Sequence, residues 1–270
     1  MKKIFFIIIS LLIFFIISFN LFNTNNKEII VNSYNKFSTF PFYKEELKDE
    51  YINYQNKENL SDKKTILYVN IGLNKPFYTN VKEAKDLNSI TILVNKYNYL
   101  KKDYVPNNLV ILDEYAKPGI RLNSEAYDKF KKMASDAYLQ DELKLRIVSA
   151  YRSFEYQENL YNKYLKFESQ DKVDTYSARS GYSEHQTGLA IDIDNEIIEY
   201  NKFHLTREFA WMSNNAYKYG FILRYPLGKE NITGYKYEPW HYRYVGEKIA
   251  NYIHENDITY EEYYYEFIDK

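Results

Sequence analysis

The sequence predicts an α+β fold. Three observations carry that expectation. Helical and alternating apolar patterns are interspersed through residues 61–270. They lack the regular strand–helix–strand order of a doubly wound parallel sheet. The strand-like runs are short, β-branched and bounded by polar turns, and no internal repeat points to an array.

At the N-terminus, Lys2 and Lys3 precede an apolar run from Ile4 to Phe22 broken only by Ser10, Ser18 and Asn20. That is close to the roughly 20 apolar residues needed to cross a bilayer. Residues 1–25 are therefore expected to form a signal-anchor transmembrane helix. The flanking lysines predict a single-pass protein of the cell membrane with everything after residue 25 extracytoplasmic; a cleaved signal peptide, giving a secreted protein, is the alternative. Residues 26–60 are rich in Asn, Lys, Glu and Tyr without sustained periodicity, which predicts a stalk or linker. Residues 61–270 are left for a catalytic domain.

Within that domain, 65–71 and 89–94 read as strands. A helix starts at Ser124 as N-cap and places Ala126, Phe130, Met133, Ala134 and Ala137 on one face. Leu143, Leu145 and Ile147 then alternate with Lys144 and Arg146 as a strand that runs out at 149–152. Ser153 caps the next helix, where Gln157, Leu160, Tyr161 and Tyr164 share a face, so Arg152 and Gln157 meet at a strand-to-helix junction. Residues 188–194 form a strand with Ala190, Asp192 and Asp194 on one side. A helix over 206–219 stops at Gly220, a strand follows over 221–225, and 228–234 is a loop. The chain closes with a strand over 241–245 and helices over 247–255 and 258–268.

Composition narrows the chemistry. Lys+Arg 36 against Asp+Glu 37 gives a formal net charge of -1, so there is no basic field to hold a nucleic acid, and none is expected as partner. The absence of cysteine excludes disulfides, thiolate metal sites and a cysteine nucleophile together. Any transition metal must be bound by imidazole and carboxylate, and only His185, His204, His241 and His254 can supply the former. The 31 Tyr and 17 Phe are spread along the chain and mark no motif.

Two segments could carry a site. His185 and Asp192 are seven residues apart, which on one continuous strand would point them to opposite faces. A turn at Gly188 would bring His185 back over the Asp192 face, giving two ligands suited to zinc. Further on, Glu238-Pro-Trp-His241 offers a third ligand in His241, with Glu238 close enough to take a proton from an attacking water. Each segment alone has a simpler reading: a polar surface pair in the first, and Trp240 packed under a helix with Glu238 solvated in the second.

Together the segments resemble a family. Ser183-x-His185-x-x-Gly188-x-Ala190-x-Asp192, followed about fifty residues later by Glu238-x-Trp240-His241, is similar to the D-alanyl-D-alanine carboxypeptidases of the VanY type. Ser149-Ala-Tyr-Arg-Ser153 with Gln157, Leu93-Val-Asn-Lys96 and Tyr104-Val-Pro106 match as well. Ala150, where a Gly is common, and Ser180, where a Pro is common, are departures. The resemblance implies a small, mostly antiparallel sheet with flanking helices and a zinc site on the sheet, of the D,D-peptidase/hedgehog-like kind. It implies His185, Asp192 and His241 as Zn2+ ligands and Glu238 as general base. Arg152 would face the substrate carbonyl or its developing oxyanion, or else form a salt bridge with Asp194 or Glu184. Ser183 and Gln157 would hold the terminal carboxylate or a nearby amide. The implied substrates are peptidoglycan stem peptides, cut by a monomeric D-alanyl-D-alanine carboxypeptidase. An L,D-carboxypeptidase acting on tetrapeptides, or a wall-binding module without activity, are the alternatives. His204 and His254 match no ligand.

Overall fold

The computed structural model describes residues 36–198 and 200–269. The described residues cluster into two compact units, one holding those up to Asn70 together with Asp269, the other those of Ile71–Ile268.

In the first unit, α1 (Lys48–Glu58) and most of α2 (Asp62–Ile71) are joined by a tight turn. Asn59 ends α1 in a left-handed conformation, and Gln55 Nε2 reaches forward to Asp62 Oδ1 at 2.7 Å. The Tyr51 hydroxyl donates to Asn70 Oδ1 at 2.7 Å, and Asn70 Nδ2 donates to the Phe42 carbonyl at 2.8 Å. Buried polar groups are thus paired inside the unit.

The second unit contains short strands β1 (Lys82–Glu83), β2 (Asn98–Tyr99), β3 (Leu109–Ile111) and β4 (Arg121–Asn123) ahead of a four-stranded sheet. That sheet, in the order β5-β6-β8-β7, is antiparallel throughout and comprises β5 (Arg146–Ser149), β6 (Ala190–Asp194), β7 (Phe221–Leu223) and β8 (His241–Tyr244). The helices are α3 (Ser124–Asp141), α4 (Phe154–Leu165), α5 (Gln170–Val173), α6 (Arg207–Asn215), α7 (Glu230–Thr233), α8 (Glu247–Asn256) and α9 (Tyr260–Phe267). The fold is α+β, a small antiparallel sheet with flanking helices, as the sequence predicts.

The core lies between α3 and one face of the sheet. Ala126, Phe130, Met133, Ala134 and Ala137 are all buried, and with Ile147, Ile191, Ile193, Phe221, Tyr242 and Tyr244 they form one apolar cluster. Each such large side chain contributes about 1.5–3 kcal/mol by burial, so the sheet is a rigid platform for whatever its other face carries. Asn123, one residue before the expected cap, caps α3 by accepting from the amides of Glu125 and Ala126. Ser153 caps α4 as expected, through the Tyr156 amide at 3.2 Å.

Several expectations are corrected. Residues 65–71 belong to helix α2, because a run with Ile66, Leu67, Val69 and Ile71 all buried has no periodicity that separates buried helix from buried strand. Residues 89–94 are irregular: Arg243 Nη2 takes the carbonyls of Ile90 and Ile92, and Tyr260 takes that of Thr91, so these acceptors serve side chains and not a neighbouring strand. Helix α1 lies in the segment read as featureless, where Tyr51 alone is buried. The loop at 228–234 contains α7.

The single-pass transmembrane assignment is also corrected. Among the described residues no helix is long and apolar enough to cross a membrane. The longest, α3, spans 18 residues but carries Glu125, Asp128, Lys129, Lys131, Lys132, Asp136 and Asp141. The 1–25 segment on which the assignment rested lies outside the described residues.

Candidate active site

The register of the sheet sets the site. In the antiparallel pairing of β6 with β8, Asp192 lies directly opposite His241, and on the other side Ser149 of β5 pairs with Asp192 after a bulge. Glu184–Thr187 form one tight helical turn that Gly188 ends at φ 67. The conformation calls for glycine, whereas an added Cβ would press only on the end of the Leu109 side chain, with Cδ2 at 2.6 Å. This turn returns His185 over the carboxylate face of β6, and His185 Nδ1 donates to the Ala150 carbonyl at 2.7 Å, leaving Nε2 free to ligate.

Nε2 of His185 lies 3.4 Å, and Nδ1 of His241 3.1 Å, from Asp192 Oδ1. One ligand atom from each residue falls within 4.8 Å of the others, and all three residues are buried. Ligand atoms about 2.0–2.1 Å from a tetrahedral zinc are spaced about 3.3 Å from one another. Two imidazoles and a carboxylate at 3.1 and 3.4 Å therefore fit such an ion. Glu238 Oε2 is 3.9 Å from His241 Nδ1, held by a turn in which the His241 amide donates to the Glu238 carbonyl.

Arg152 donates through Nε to Ser149 Oγ at 2.9 Å and through Nη2 to Asp192. Neither of its alternative partners is available: Asp194 pairs with Arg146, and Glu184 with Arg224 and Arg243. Gln157 is buried; its Nε2 donates to the Ala178 carbonyl at 2.8 Å, while Oε1 has no partner. Ser183 is buried at the entry to the His185 turn. His204 and His254 lie elsewhere, against Tyr237 and stacked on Tyr217.

The electrostatics divide these groups. Burial, with the Arg152 cation beside it, lowers His185 to about 4, so the ring is neutral near pH 7. Burial also opposes a charge on His241, but the Asp192 and Glu184 carboxylates on either side of the ring outweigh this and raise it to about 9. Burial would raise Asp192, yet His185 and Arg152 hold it well below the usual carboxylate range. Glu238 is pushed up to about 8 by burial, against the pull of His241.

A family model described as D-alanyl-D-alanine carboxypeptidase, VanY, matches residues 119–247, which include every residue of this constellation. The putative carboxypeptidase YodJ of Bacillus subtilis (strain 168) is 40% identical over 209 residues, covering 72% of this chain and 76% of that protein. The chain belongs to the VanY family of D-alanyl-D-alanine carboxypeptidases. It is an enzyme, a peptidase of that family. A D-alanyl-D-alanine carboxypeptidase of Enterococcus faecium is 37% identical over 166 residues, 62% of this chain, which spans half of that protein's length. Among solved structures, the LdcB LD-carboxypeptidase is 41% identical with a TM-score of 0.64, over 69% of this chain and 90% of that one. The vancomycin-resistance D,D-pentapeptidase VanY in complex with Zn(II) is 34% identical with a TM-score of 0.54, over 64% and 97%.

Sequence reasoning missed what stands behind this VanY-type constellation. Tyr225 stacks on His241 at 4.9 Å. Glu184, Arg224 and Arg243 are fully buried and mutually paired next to it. A signal existed: Arg224 and Arg243 interrupt strand-like runs, and Arg243 shares its face of β8 with His241.

Proposed function

We propose that the protein is a zinc-dependent D-alanyl-D-alanine carboxypeptidase that removes the terminal D-alanine from peptidoglycan stem peptides. The observation that carries this is the spacing of His185, Asp192 and His241 around one point, with the buried carboxyl of Glu238 beside it. Zinc held there would acidify water and polarise the scissile carbonyl. Glu238, its proton affinity raised by burial, accepts the proton of the attacking water and returns it to the leaving amine. Arg152, anchored on Ser149, directs its guanidinium to the carbonyl oxygen as charge develops there, an interaction that strengthens toward the transition state. Gln157 holds the peptide through its unpartnered Oε1; with Nε2 committed to Ala178, an amide N–H suits it better than a carboxylate. Ser183, buried at the entry to the His185 turn, would assist in holding the terminal carboxylate.

The likeness to the LdcB LD-carboxypeptidase favours one second reading, cleavage of tetrapeptide stems after an L-centre by the same residues. Digestion of defined penta- and tetrapeptide muropeptides, with the products weighed, separates the two. D-alanine released from pentapeptide alone supports the first, from tetrapeptide alone the second, and from neither contradicts both.

A further inference from the structure

Glu184 precedes the ligand His185 in sequence, yet its carboxylate turns toward the other histidine. Oε1 accepts from Arg224 Nε at 2.8 Å and from Arg243 Nη1 at 3.1 Å. Arg224 is closed from its far side by Glu261 through two bonds of 2.6 and 2.9 Å, and Arg243 satisfies its remaining nitrogens on the carbonyls of Ile90, Ile92 and Tyr244. All four side chains are buried, and two carboxylates balance two guanidiniums. Only Oε2 of Glu184 is left without a hydrogen-bond partner. It lies 3.6 Å from His241 Nε2, which is likewise buried and unpartnered.

Two orphaned, complementary polar atoms facing each other are costly unless something completes the bond. The opposite nitrogen of the same ring, Nδ1, points to Asp192 Oδ1 on the metal-ligating side. A neutral imidazole carries its proton on one nitrogen only. We propose that Glu184 is a positioning residue for the metal centre: its clamped carboxylate accepts the Nε2–H of His241 and so commits Nδ1 to the metal. The inference rests on the reading of His185, Asp192 and His241 as ligands. It makes the two histidines use opposite nitrogens, one oriented by a backbone carbonyl and the other by a carboxylate, which also strengthens the ring as a donor.

The test uses the full chain loaded with Zn2+. In nitrogen-15 NMR of the wild-type protein, the His241 ring is expected to show a slowly exchanging proton on Nε2 and a metal-shifted Nδ1. Competition against a chromophoric chelator should show Glu184→Gln, which keeps an acceptor but loses the charge, binding zinc about tenfold more weakly, within the range of about 10–100-fold usual for such supporting groups. Glu261→Gln strips Arg224 of its other carboxylate without touching His241, and should lower the melting temperature while zinc affinity stays within about twofold. Where Glu184→Gln does not fold, the wild-type tautomer decides alone. A zinc-loaded wild type with its His241 proton on Nδ1, or exchanging freely from Nε2, overturns the positioning role and leaves the metal site standing. So does a folded Glu184→Gln protein with wild-type zinc affinity. A wild type that takes up no zinc overturns the metal site and this role with it.

Discussion

His241 and Glu238 share one pocket, and burial acts on them with different results. A cationic imidazole sits between two carboxylates and holds its proton up to about pH 9, whereas burial of the Glu238 carboxyl outweighs the pull of His241 and Arg152 and raises it to about 8. Because the protonated form of His241 competes with the metal at every pH below that value, zinc affinity is expected to rise about tenfold per pH unit from pH 6 to 8 and to flatten above 9. Chelator competition across that range, with proton release read from calorimetry in two buffers, measures it; a flat profile contradicts it. For the base, Glu238→Ala is expected to keep one zinc per chain and lose hydrolysis by about 10²–10⁴-fold. Normal turnover in that variant, with metal content confirmed, would remove Glu238 from the mechanism.

At the scale of elements, the site depends on one strand pair and one turn. The β6–β8 register makes Asp192 and His241 neighbours, and a slip by one residue would send one of them to the opposite face. The turn that brings in His185 closes at Gly188, whose positive φ an alanine tolerates poorly; Gly188→Ala is expected to cost about 1–2 kcal/mol in urea unfolding and to weaken zinc binding. An unchanged midpoint would mean that the turn relaxes freely. The same elements show what sequence makes legible. Alternation over 188–194 and 241–245 located both strands, because each buries one apolar face on α3, and the glycine marked the turn. What failed was the reading of buried runs. Thr65 to Ile71 is helical, since near-continuous burial erases the period that separates the alternatives, and 89–94 is irregular. The 89–94 carbonyls, moreover, are claimed by Arg243 and Tyr260, residues roughly 150 or more positions away.

At the scale of the whole molecule, a rigid apolar core under one face of the sheet leaves the other face to polar groups brought from four separate stretches of chain. Sequence could nominate His185, Asp192, His241, Glu238 and Arg152 together because their motifs resemble those of a known family. It could not show Glu184, Arg224 and Arg243 as a unit, because ion pairs between distant positions leave no local pattern. Removing one member of that buried network, as in Arg224→Leu, strands carboxylates away from water and is expected to cost about 3–5 kcal/mol in thermal or denaturant unfolding; a loss under about 1 kcal/mol would contradict the network's closure. The central claim is that His185, Asp192 and His241 form the zinc centre of a peptidase, and it stands on a single measurement. The purified full chain is assayed for zinc and for D-alanine release from a D-alanyl-D-alanine pentapeptide, before chelation, after it, and after zinc is restored. One zinc per chain, with release abolished by the chelator and recovered with the metal, is the predicted result. Metal-free protein whose hydrolysis is indifferent to the chelator would contradict it.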